Sequence, residues 1–240
     1  MFTGSLSVIL SSYNEAENIA DVIKSVLDKI PSLVSDFEII VVDDGSKDRT
    51  FEILNGLKGA DSNIKIVRHL SNKGYGASLK SGLENSIKDY VLMMDTDRQF
   101  DISDITRLIP YCLLYDMVIG FRIKRQDPFY RCILGNIFNF LMKITFAIGT
   151  KDIDCGFKLF NREFLKTLVL NSDGFIINAE IVALAQKNGA KIKEVGVTHY
   201  PRLYGRQKVL NFKTLSAIAS DLLALKWRLL SGKNIKSQLK

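Results

Sequence analysis

The feature that most constrains the fold is an alternation of short apolar runs with helical patterns through the first half of this 240-residue chain. Each run has four or five residues and ends in polar ones, which predicts a strand followed by a turn. The runs are residues 6–10, 38–42, 64–67 and 90–94. Strands that alternate with helices predict an α/β fold with a mostly parallel sheet covered on both faces, and a ligand beyond the carboxyl ends of the strands.

The helical segments have apolar faces at helical spacing. Asn14, with Glu17 three residues later, predicts a capping box at the start of the first helix. Other helices are predicted after Gly76, from about Ser103, over 178–188 and beyond 208, with a further strand at 192–197. The apolar face of the first helix should comprise Ile19, Val22, Ile23, Val26, Leu27 and Ile30.

A pair of carboxylates follows the fourth strand. Asp95 and Asp97 stand at positions i and i+2, so both face one side if the strand continues. Hard oxygen ligands suit Mg²⁺ or Mn²⁺, which bridge substrate phosphates, and Gln99 could add a third oxygen. Taken alone, this short motif favours a solvated turn after the strand over a metal site.

A second acidic pair, Asp43 and Asp44, ends the second strand. These side chains could accept hydrogen bonds from a nucleobase N–H or a ribose hydroxyl, as acids do at this place in other nucleotide folds. The alternative is a glycine turn in which Ser46 caps the following helix. Both interpretations can hold together.

Two further polar motifs complete the series. After the first strand, Tyr13 could stack on a base, with Ser11 and Glu15 bonding to it. After the third strand, residues 72–77 form a glycine-punctuated turn that allows a close approach of backbone. That turn lacks the spacing of the common phosphate-cradling loops.

In this order the four motifs resemble the inverting glycosyltransferases of family two, which have the GT-A fold. The matching segments are Tyr-Asn-Glu at 13–15, Asp-Asp-Gly-Ser at 43–46, Asn-Lys-Gly-Tyr-Gly at 72–76 and Asp-Thr-Asp at 95–97. The resemblance implies a Mg²⁺ or Mn²⁺ ion held by Asp95, Asp97 and Gln99. It also implies a nucleotide-sugar donor held by Ser11, Tyr13, Glu15, Asp43, Asp44 and Asp95.

Motifs in the second half are similar to those of the dolichyl-phosphate mannose synthase group and its polyprenyl-phosphate glucosyl relatives. They are Gly-Phe-Arg at 120–122, Arg131, residues 154–160, Glu180 and residues 202–208. The resemblance implies inverting transfer of a hexose, mannose or glucose, from a GDP- or UDP-sugar to a lipid-linked phosphate. The chain departs from the group at Phe121 and Gln207, which bear on the sugar or the acceptor.

A phosphate acceptor also agrees with the basic residues of this half. A phosphate monoester has a second pKa of about 6, so it is already ionised and needs cations rather than a general base. Arginine can bind it through two parallel hydrogen bonds. We expect Arg122 and Arg131 at the reacting centre beside Asp97, and Arg131, Arg202 and Lys208 at the acceptor phosphate. Glu180 could serve as a base if the acceptor were a hydroxyl, although a glutamate on a helix face is more often structural.

Charge and cysteine usage favour an anionic partner and a reducing compartment. There are 33 Lys and Arg against 26 Asp and Glu, a net charge of +7. This excess suits a phosphorylated substrate, an acidic membrane surface or nucleic acid. Because the motifs resemble those of glycosyltransferases, we expect no nucleic acid partner. The three cysteines are scattered and the first residues lack a signal-peptide pattern, so we expect a cytoplasmic protein, peripheral at the cytoplasmic face of a membrane.

One apolar segment, 132–150, imitates a membrane span but contains Lys143. A central lysine costs about 2.5–3.5 kcal/mol on insertion, so the segment is predicted to be a helix that is buried or lies in the membrane interface.

The expected organisation is a single domain with an extension. The catalytic domain would span 1–208, with a nucleotide-sugar half at 1–120 and an acceptor half at 121–208. Residues 209–240 would form a basic amphipathic helix and tail that binds a membrane surface or a membrane-embedded partner subunit.

Two other functions remain open from the sequence alone. One is transfer to a sugar or glycan hydroxyl in cell-surface polysaccharide synthesis. The other is a basic, non-enzymatic adaptor that docks on membranes or RNA. If the protein were such an adaptor, nothing in its function would require the four acids at 43, 44, 95 and 97 to lie close together.

Overall fold

The computed structural model describes residues 2–202 and 212–231, without the side chains of residues 131, 212–219 and 230. The described part contains a seven-stranded sheet in the order β3-β2-β1-β4-β6-β5-β7. The strands are β1 (Leu6–Ser12), β2 (Phe37–Asp43), β3 (Ile64–Arg68), β4 (Tyr90–Asp95), β5 (Met117–Ile123), β6 (Lys158–Asn161) and β7 (Ile192–Thr198).

Eight helices accompany this sheet in the described residues. They are α1 (Ile19–Lys29), α2 (Thr50–Ala60), α3 (Tyr75–Asn85), α4 (Ile105–Leu108), α5 (Phe129–Phe146), α6 (Arg162–Leu165), α7 (Ile177–Lys187) and α8 (Phe212–Ser231).

The predicted fold class is confirmed: the chain is an α/β domain of the GT-A, Rossmann-like kind with a mostly parallel sheet flanked by helices. All neighbouring strands are parallel except at β6, which runs antiparallel to both β4 and β5. All five predicted strands are present, with bounds shifted by up to two residues. β5 and β6 were not predicted, because β5 ends in a basic, half-exposed stretch and β6 has only four residues.

Alternate strand residues build two hydrophobic cores, one on each face of the sheet. In β1, Val8 and Leu10 belong to one core, whereas Ile9 belongs to the other. Burial on both faces explains why the central strands are continuous apolar runs.

The first helix starts later than predicted. α1 begins at Ile19, and Asn14 is not its cap, because Asn14 takes the left-handed conformation with φ 57°. Its side-chain oxygen instead accepts a hydrogen bond from the Lys47 N–H (2.8 Å), and its own N–H donates to Ser46 Oγ (2.9 Å). The Asn14–Glu17 capping box is therefore wrong, since Asn14 is engaged in joining the β1 and β2 loops. The apolar face of α1 is confirmed.

Ser46 does not cap α2 either. That helix begins at Thr50, and Asp48 Oδ1 accepts from the Thr50 N–H at 3.0 Å. Ser46 instead receives the Asn14 N–H, so the short polar residues of both loops bind one another.

The apolar segment predicted at 132–150 corresponds to α5, and its outer face is not buried. Phe140 is 62% exposed and Ile144 67% exposed, while Met142 on the opposite side is fully buried. In the part of the chain that the structure describes, no helix is long and apolar enough to span a membrane.

The predicted C-terminal helix is α8, which packs on the domain through the buried Leu225. Lys208, most of the 202–208 motif and the tail beyond 231 lie outside the described residues. The proposed division into a domain at 1–208 and an extension at 209–240 stays a prediction.

Candidate active site

The carboxyl ends of β1, β2 and β4 meet at one edge of the sheet. Register pairs Ser11 with Asp95 across β1 and β4, and Ser12 with Asp43 across β1 and β2. The Thr96 hydroxyl donates to the Ser11 carbonyl at 2.9 Å, which ties the segment after β4 to the end of β1. The polar motifs after these three strands are therefore neighbours in space, as the parallel sheet predicts.

Asp95 lies in a tight enclosure at the end of β4. Its Oδ1 accepts a hydrogen bond from the Tyr75 hydroxyl at 3.0 Å. A Cβ atom on Gly156 would lie 2.0 Å from its Oδ2, so only glycine fits against this carboxylate. Burial raises the pKa of Asp95, against the opposing charges of Lys158 and Arg122.

Asp97 is a buried carboxylate with little compensating charge around it. Its Oδ1 accepts from the Gln99 N–H at 3.1 Å, and its Oδ2 lies 3.8 Å from Arg202 Nη2. Burial, followed by the nearby charge of Asp95, raises its pKa to about 7. A buried anion in this state is stabilised by any added positive charge.

Gln99 is buried beside this pair, and its orientation is fixed. Its side-chain nitrogen donates to the Tyr200 carbonyl at 3.2 Å, and its backbone carbonyl accepts the Tyr200 N–H at 2.9 Å. These two bonds connect the Asp-Thr-Asp segment to the chain that follows β7.

Arg202 lies on the donor side of the site. Its guanidinium donates to Glu15 Oε1 at 2.9 Å while also approaching Asp97. Glu15 in addition accepts from Asn18 Nδ2 at 2.6 Å, and burial raises its pKa. Arg202 thus bridges a predicted nucleoside ligand and a predicted metal ligand, whereas the sequence suggested only the acceptor phosphate.

Two charged residues that the sequence reading gave no role, Lys158 and Asp154, complete the enclosure. Lys158 is fully buried, and its Nζ donates to the Cys155 carbonyl and to Asn178 Oδ1 (2.8 Å). Burial raises the pKa of Asp154 to about 6 and lowers that of Lys158, which is the counter-charge to Asp154 and Asp95. The available signal was a lysine inside the apolar run Phe-Lys-Leu-Phe, where a charge has to be paired.

Asp44 is engaged in an internal network rather than facing open space. Its carboxylate accepts the N–H groups of Lys73 (2.8 Å) and Gly74 (2.9 Å). His69 Nδ1 lies 2.6 Å from the same carboxylate, and His69 Nε2 lies 2.9 Å from Ser81 Oγ. Asp44 therefore holds the glycine turn in place, and its predicted contact with the nucleoside stays a prediction.

The other predicted donor residues have mixed surroundings. Asp43 is fully buried, with Oδ1 accepting from the Ser46 N–H (3.1 Å) and Oδ2 lying 3.5 Å from Arg68 Nε. Ser11 and Tyr13 are half-buried at the rim. A cavity of about 320 Å³, lined by residues 14–18, 48 and 49, opens beside Glu15.

A second cavity, of about 340 Å³, is far from this chemistry. It is lined by Gly4, Tyr90 and Arg162 among others, and Tyr90 begins the strand that Asp95 ends. The position of the carboxylates, rather than cavity size, therefore identifies the candidate site.

Arg122 is paired internally. Its Nε and Nη2 each donate to Asp152 at 2.7 Å, and its Nη1 lies 3.6 Å from Asp127. The side chain is buried, and the hydrogen bond to Asp152 raises its pKa although burial opposes this. Its predicted catalytic contact would require it to exchange these partners. The Arg131 side chain and Lys208 lie outside the described residues.

Glu180 is not placed to act as a base. Its side chain is 0% exposed and accepts from the N–H groups of Asn171 (3.1 Å) and Ser172 (2.7 Å), and from Arg228 Nη1 (2.6 Å). A carboxylate that is buried and bonded in this way has no path to a hydroxyl substrate.

The residues present suit a divalent cation, with help from other ligands. Asp95 and Asp97 supply two hard carboxylates, and the raised pKa of Asp97 marks a deficit of positive charge. Within residues 2–202 and 212–231, no three His, Cys, Asp or Glu side chains are grouped to hold a metal ion. The remaining ligands would be Gln99, water and the phosphates of a substrate, as is common for Mg²⁺.

Comparison with known proteins places the chain in a family. The model of glycosyl transferase family 2 matches residues 7–169. A dolichyl-phosphate beta-glucosyltransferase from Dictyostelium discoideum is 32% identical over 248 residues, covering 95% of this chain and 75% of that protein. Glycosyltransferase AglJ from Haloferax volcanii is 33% identical over 201 residues, covering 81% of this chain and 63% of that protein.

Solved structures share the fold at lower identity. The glucosyl-3-phosphoglycerate synthase of Mycobacterium tuberculosis, in complex with Mn²⁺, UDP-glucose and phosphoglyceric acid, has a TM-score of 0.69 at 19% identity. That alignment covers 93% of this chain and 79% of the other. The family model covers more than half of the chain, and the Dictyostelium relative exceeds 30% identity over three quarters of its length. The chain therefore belongs to glycosyl transferase family 2 and is a glycosyltransferase.

Proposed function

We propose that this glycosyltransferase moves a hexose, with glucose favoured over mannose, from a nucleotide diphosphate sugar to a polyprenyl or dolichyl phosphate, inverting the anomeric centre. The observation that carries the proposal is the buried, undercompensated pair Asp95 and Asp97 at the meeting point of the strand ends. The names of the relatives supply the lipid acceptor, and those reported above include a glucosyltransferase rather than a mannosyltransferase.

In this proposal the donor lies along the ends of β1, β2 and β4. Ser11, Tyr13 and Glu15 would contact the nucleoside, near the cavity beside Glu15. Asp95, Asp97 and Gln99 would hold Mg²⁺ or Mn²⁺, and the ion supplies positive charge that stabilises the departing diphosphate. Arg202 already lies within 3.8 Å of Asp97, so it can add to that charge.

The acceptor phosphate is its own nucleophile. One of its oxygens forms the new bond to the anomeric carbon while the bond from that carbon to the diphosphate breaks. No side chain has to remove a proton, because the phosphate is already ionised. Arg131, Arg202 and Lys208 are the proposed cations for this phosphate.

A lipid acceptor requires the site to reach a membrane surface. We propose that the protein binds peripherally at a cytoplasmic membrane face, through the exposed apolar face of α5 and the C-terminal helix with its basic tail. The exposed Phe140 and Ile144 on α5 and Leu223 and Trp227 on α8 support this. Docking of α8 on a membrane-embedded subunit would serve the same purpose.

The test is a panel of radiolabelled nucleotide sugars, including UDP-glucose and GDP-mannose, with dolichyl phosphate and Mn²⁺ or Mg²⁺. Matched acceptors are dolichol, which lacks the phosphate, and a soluble oligosaccharide. We expect label from UDP-glucose to enter the lipid phase only with dolichyl phosphate and metal. Transfer to dolichol or to the oligosaccharide, or full transfer in EDTA, would contradict the proposal.

The alternative function, transfer of the sugar to a hydroxyl group, needs a general base, and the structure does not provide the candidate that the sequence suggested. Glu180 was that candidate, and it is buried and bonded to the backbone and Arg228. A non-enzymatic adaptor is equally disfavoured, since the buried carboxylates and Gly156 form a fitted site that docking alone would not need.

A further inference from the structure

A short loop, residues 171–174, lies against the glycine turn at 74–76, and we call it the clamp loop. The Gly76 and Ala77 N–H groups both donate to the Asp173 carbonyl, at 2.8 and 3.2 Å. A Cβ atom on Gly76 would lie 2.4 Å from the Ser172 carbonyl oxygen. The backbone that approaches these glycines is therefore the clamp loop, and the two segments cannot shift independently.

The far side of the clamp loop is held by Glu180 of α7 and, through it, by α8. The Glu180 carboxylate accepts the Asn171 and Ser172 N–H groups, and Arg228 of α8 donates to it at 2.6 Å. Asp221 of α8 also lies near this loop, since its Oδ2 would be 3.4 Å from a Cβ atom built on Gly174. The position of α8 is thus coupled to that of the clamp loop through Glu180.

On the near side, the glycine turn carries Tyr75, which bonds to the candidate metal ligand. The Tyr75 hydroxyl donates to Asp95 Oδ1 at 3.0 Å. The Tyr75 ring stacks on Phe175, with centroids 6.0 Å apart. A continuous series of contacts therefore runs from Arg228 through Glu180, the clamp loop and Tyr75 to Asp95.

We propose that Glu180 and Arg228 are positioning residues for Asp95, so that the seating of α8 sets the orientation of this carboxylate. The proposal rests on the proposed function for the role of Asp95. Among the described residues, Arg228 is the one cation paired with the Glu180 carboxylate. Removing the Arg228 side chain leaves the buried Glu180 carboxylate with backbone donors alone. An unpaired buried charge destabilises the folded state, so the clamp loop that Glu180 holds should become looser.

The first experiment follows amide hydrogen exchange, which needs no substrate. In Arg228→Ala, the amides of Gly76 and Ala77 and those of the clamp loop should exchange about tenfold faster. Arg228→Lys, which keeps the charge, should restore most of the protection. Lys226→Ala removes a neighbouring exposed charge of the same helix and should leave these amides as in the wild type. Unchanged exchange in Arg228→Ala overturns the proposal.

The second experiment asks whether the effect reaches Asp95 through Tyr75. Mn²⁺ uptake in the presence of UDP is followed by loss of the free-ion electron paramagnetic resonance signal. Arg228→Ala and Tyr75→Phe should each weaken uptake about three- to tenfold. The double variant should take up Mn²⁺ no more weakly than Tyr75→Phe alone, because the effect of Arg228 reaches Asp95 only through the hydrogen bond of the Tyr75 hydroxyl. Full additivity, or unweakened uptake in Arg228→Ala, overturns the proposal.

Failure of the proposed function would look different. A protein that transfers no sugar to dolichyl phosphate, yet shows the exchange and Mn²⁺ results above, keeps the positioning proposal and loses the acceptor. If the wild type transfers sugar without taking up Mn²⁺, the same double-mutant cycle is measured on KM for the nucleotide sugar. Additivity there overturns the proposal as well.

Discussion

At the scale of single residues, the charges of the site are unevenly matched. Arg122 has a bidentate partner in Asp152 at 2.7 Å, whereas Asp97 has its nearest cation, Arg202, at 3.8 Å. A well-paired buried charge stabilises the fold or costs little, while an undercompensated one destabilises it until a ligand arrives. An added cation at Asp97, and at Asp95 beside it, would therefore supply the missing positive charge.

Asp97→Asn should abolish sugar transfer while making the metal-free protein more stable at pH 8. The pKa of Asp97 is raised from 3.8 to about 7 in the folded protein. As pH rises, the Asp97 carboxyl therefore loses its proton at a lower pH in the unfolded state than in the folded state. Stability contributed by the protonated carboxyl is present below pH 4 and is lost as pH rises through about 7. Asparagine does not ionise, so the variant keeps this stability, about 1 kcal/mol or more of the free energy of unfolding. Its Tm in EDTA at pH 8 should therefore be about 2–4 °C above that of the wild type. A lower Tm at pH 8 or retained transfer would contradict this.

Gly156→Ala tests how closely Asp95 is fitted. Its Cβ would lie 2.0 Å from Asp95 Oδ2, so the carboxylate has to move away from its present position. We expect the rate of sugar transfer to fall about 100-fold or more, while the protein still folds and gives a cooperative melting transition. Gly149→Ala is the matched control, because no atom lies within 4 Å of a Cβ there. Equal activities of the two variants would contradict the fitted arrangement.

At the scale of elements, the end of β7 is joined to the loop between β5 and α5. The Gln126 N–H donates to His199 Nδ1 at 3.1 Å, and the His199 ring packs edge-on against Phe100. Burial, followed by the charge of Arg122, lowers the pKa of His199 to about 4. The neutral ring is thus part of the packing that holds the loop before α5.

His199→Asn should flatten the acid dependence of stability. The unfolded histidine binds a proton below about pH 6.5, whereas the folded one does so only near pH 4. The wild type therefore loses stability as pH falls from about 6.5 to about 4, by roughly 1–2 kcal/mol at pH 5 from this residue. Asparagine keeps an acceptor for the Gln126 N–H and has no such proton. Parallel curves of Tm against pH for the two proteins would refute the assignment.

At the scale of the whole molecule, apolar side chains are exposed along one helix. From 128 to 151 the sequence has no acidic residue, and the outer face of α5 presents Phe140 and Ile144 to solvent. Such a face with basic neighbours suits the boundary of an anionic lipid surface. Under the proposed function, contact of this face with a membrane surface would be enough to reach a lipid-linked acceptor.

Replacing Phe140 and Ile144 together with serine should weaken binding to anionic vesicles about tenfold or more in a flotation assay. Each fully buried side chain of this size contributes about 1.5–3 kcal/mol, and partial insertion gives less. Tm should be unchanged, because both side chains are exposed. The control pair is Leu113→Ser with Leu114→Ser, which are 70% and 68% exposed on another surface. Equal loss in both double variants would remove α5 from the membrane-facing surface.

The parallel sheet, its two covered faces and the edge at which the polar motifs meet could all be predicted from local sequence patterns. These follow from local patterns: apolar periodicity sets the element type, and parallel strands bring their carboxyl ends to one edge. The resemblance to the family and the importance of the Asp95–Asp97 pair could also be inferred from short sequence motifs. The cap at Asn14 was mispredicted because its side chain found a partner 33 residues away, in the next loop.

Which charged groups are paired with one another, and which are left for a ligand, could not be predicted in this way and depends on the folded structure. Arg122 was expected at the reacting centre, and it is bonded to Asp152, 30 residues further along. Glu180 read as a possible base, and it holds the clamp loop together with Arg228, 48 residues away. A local pattern shows that a charge is present. Its partner depends on which distant segments pack beside it, because burial makes pairing compulsory without specifying the pair.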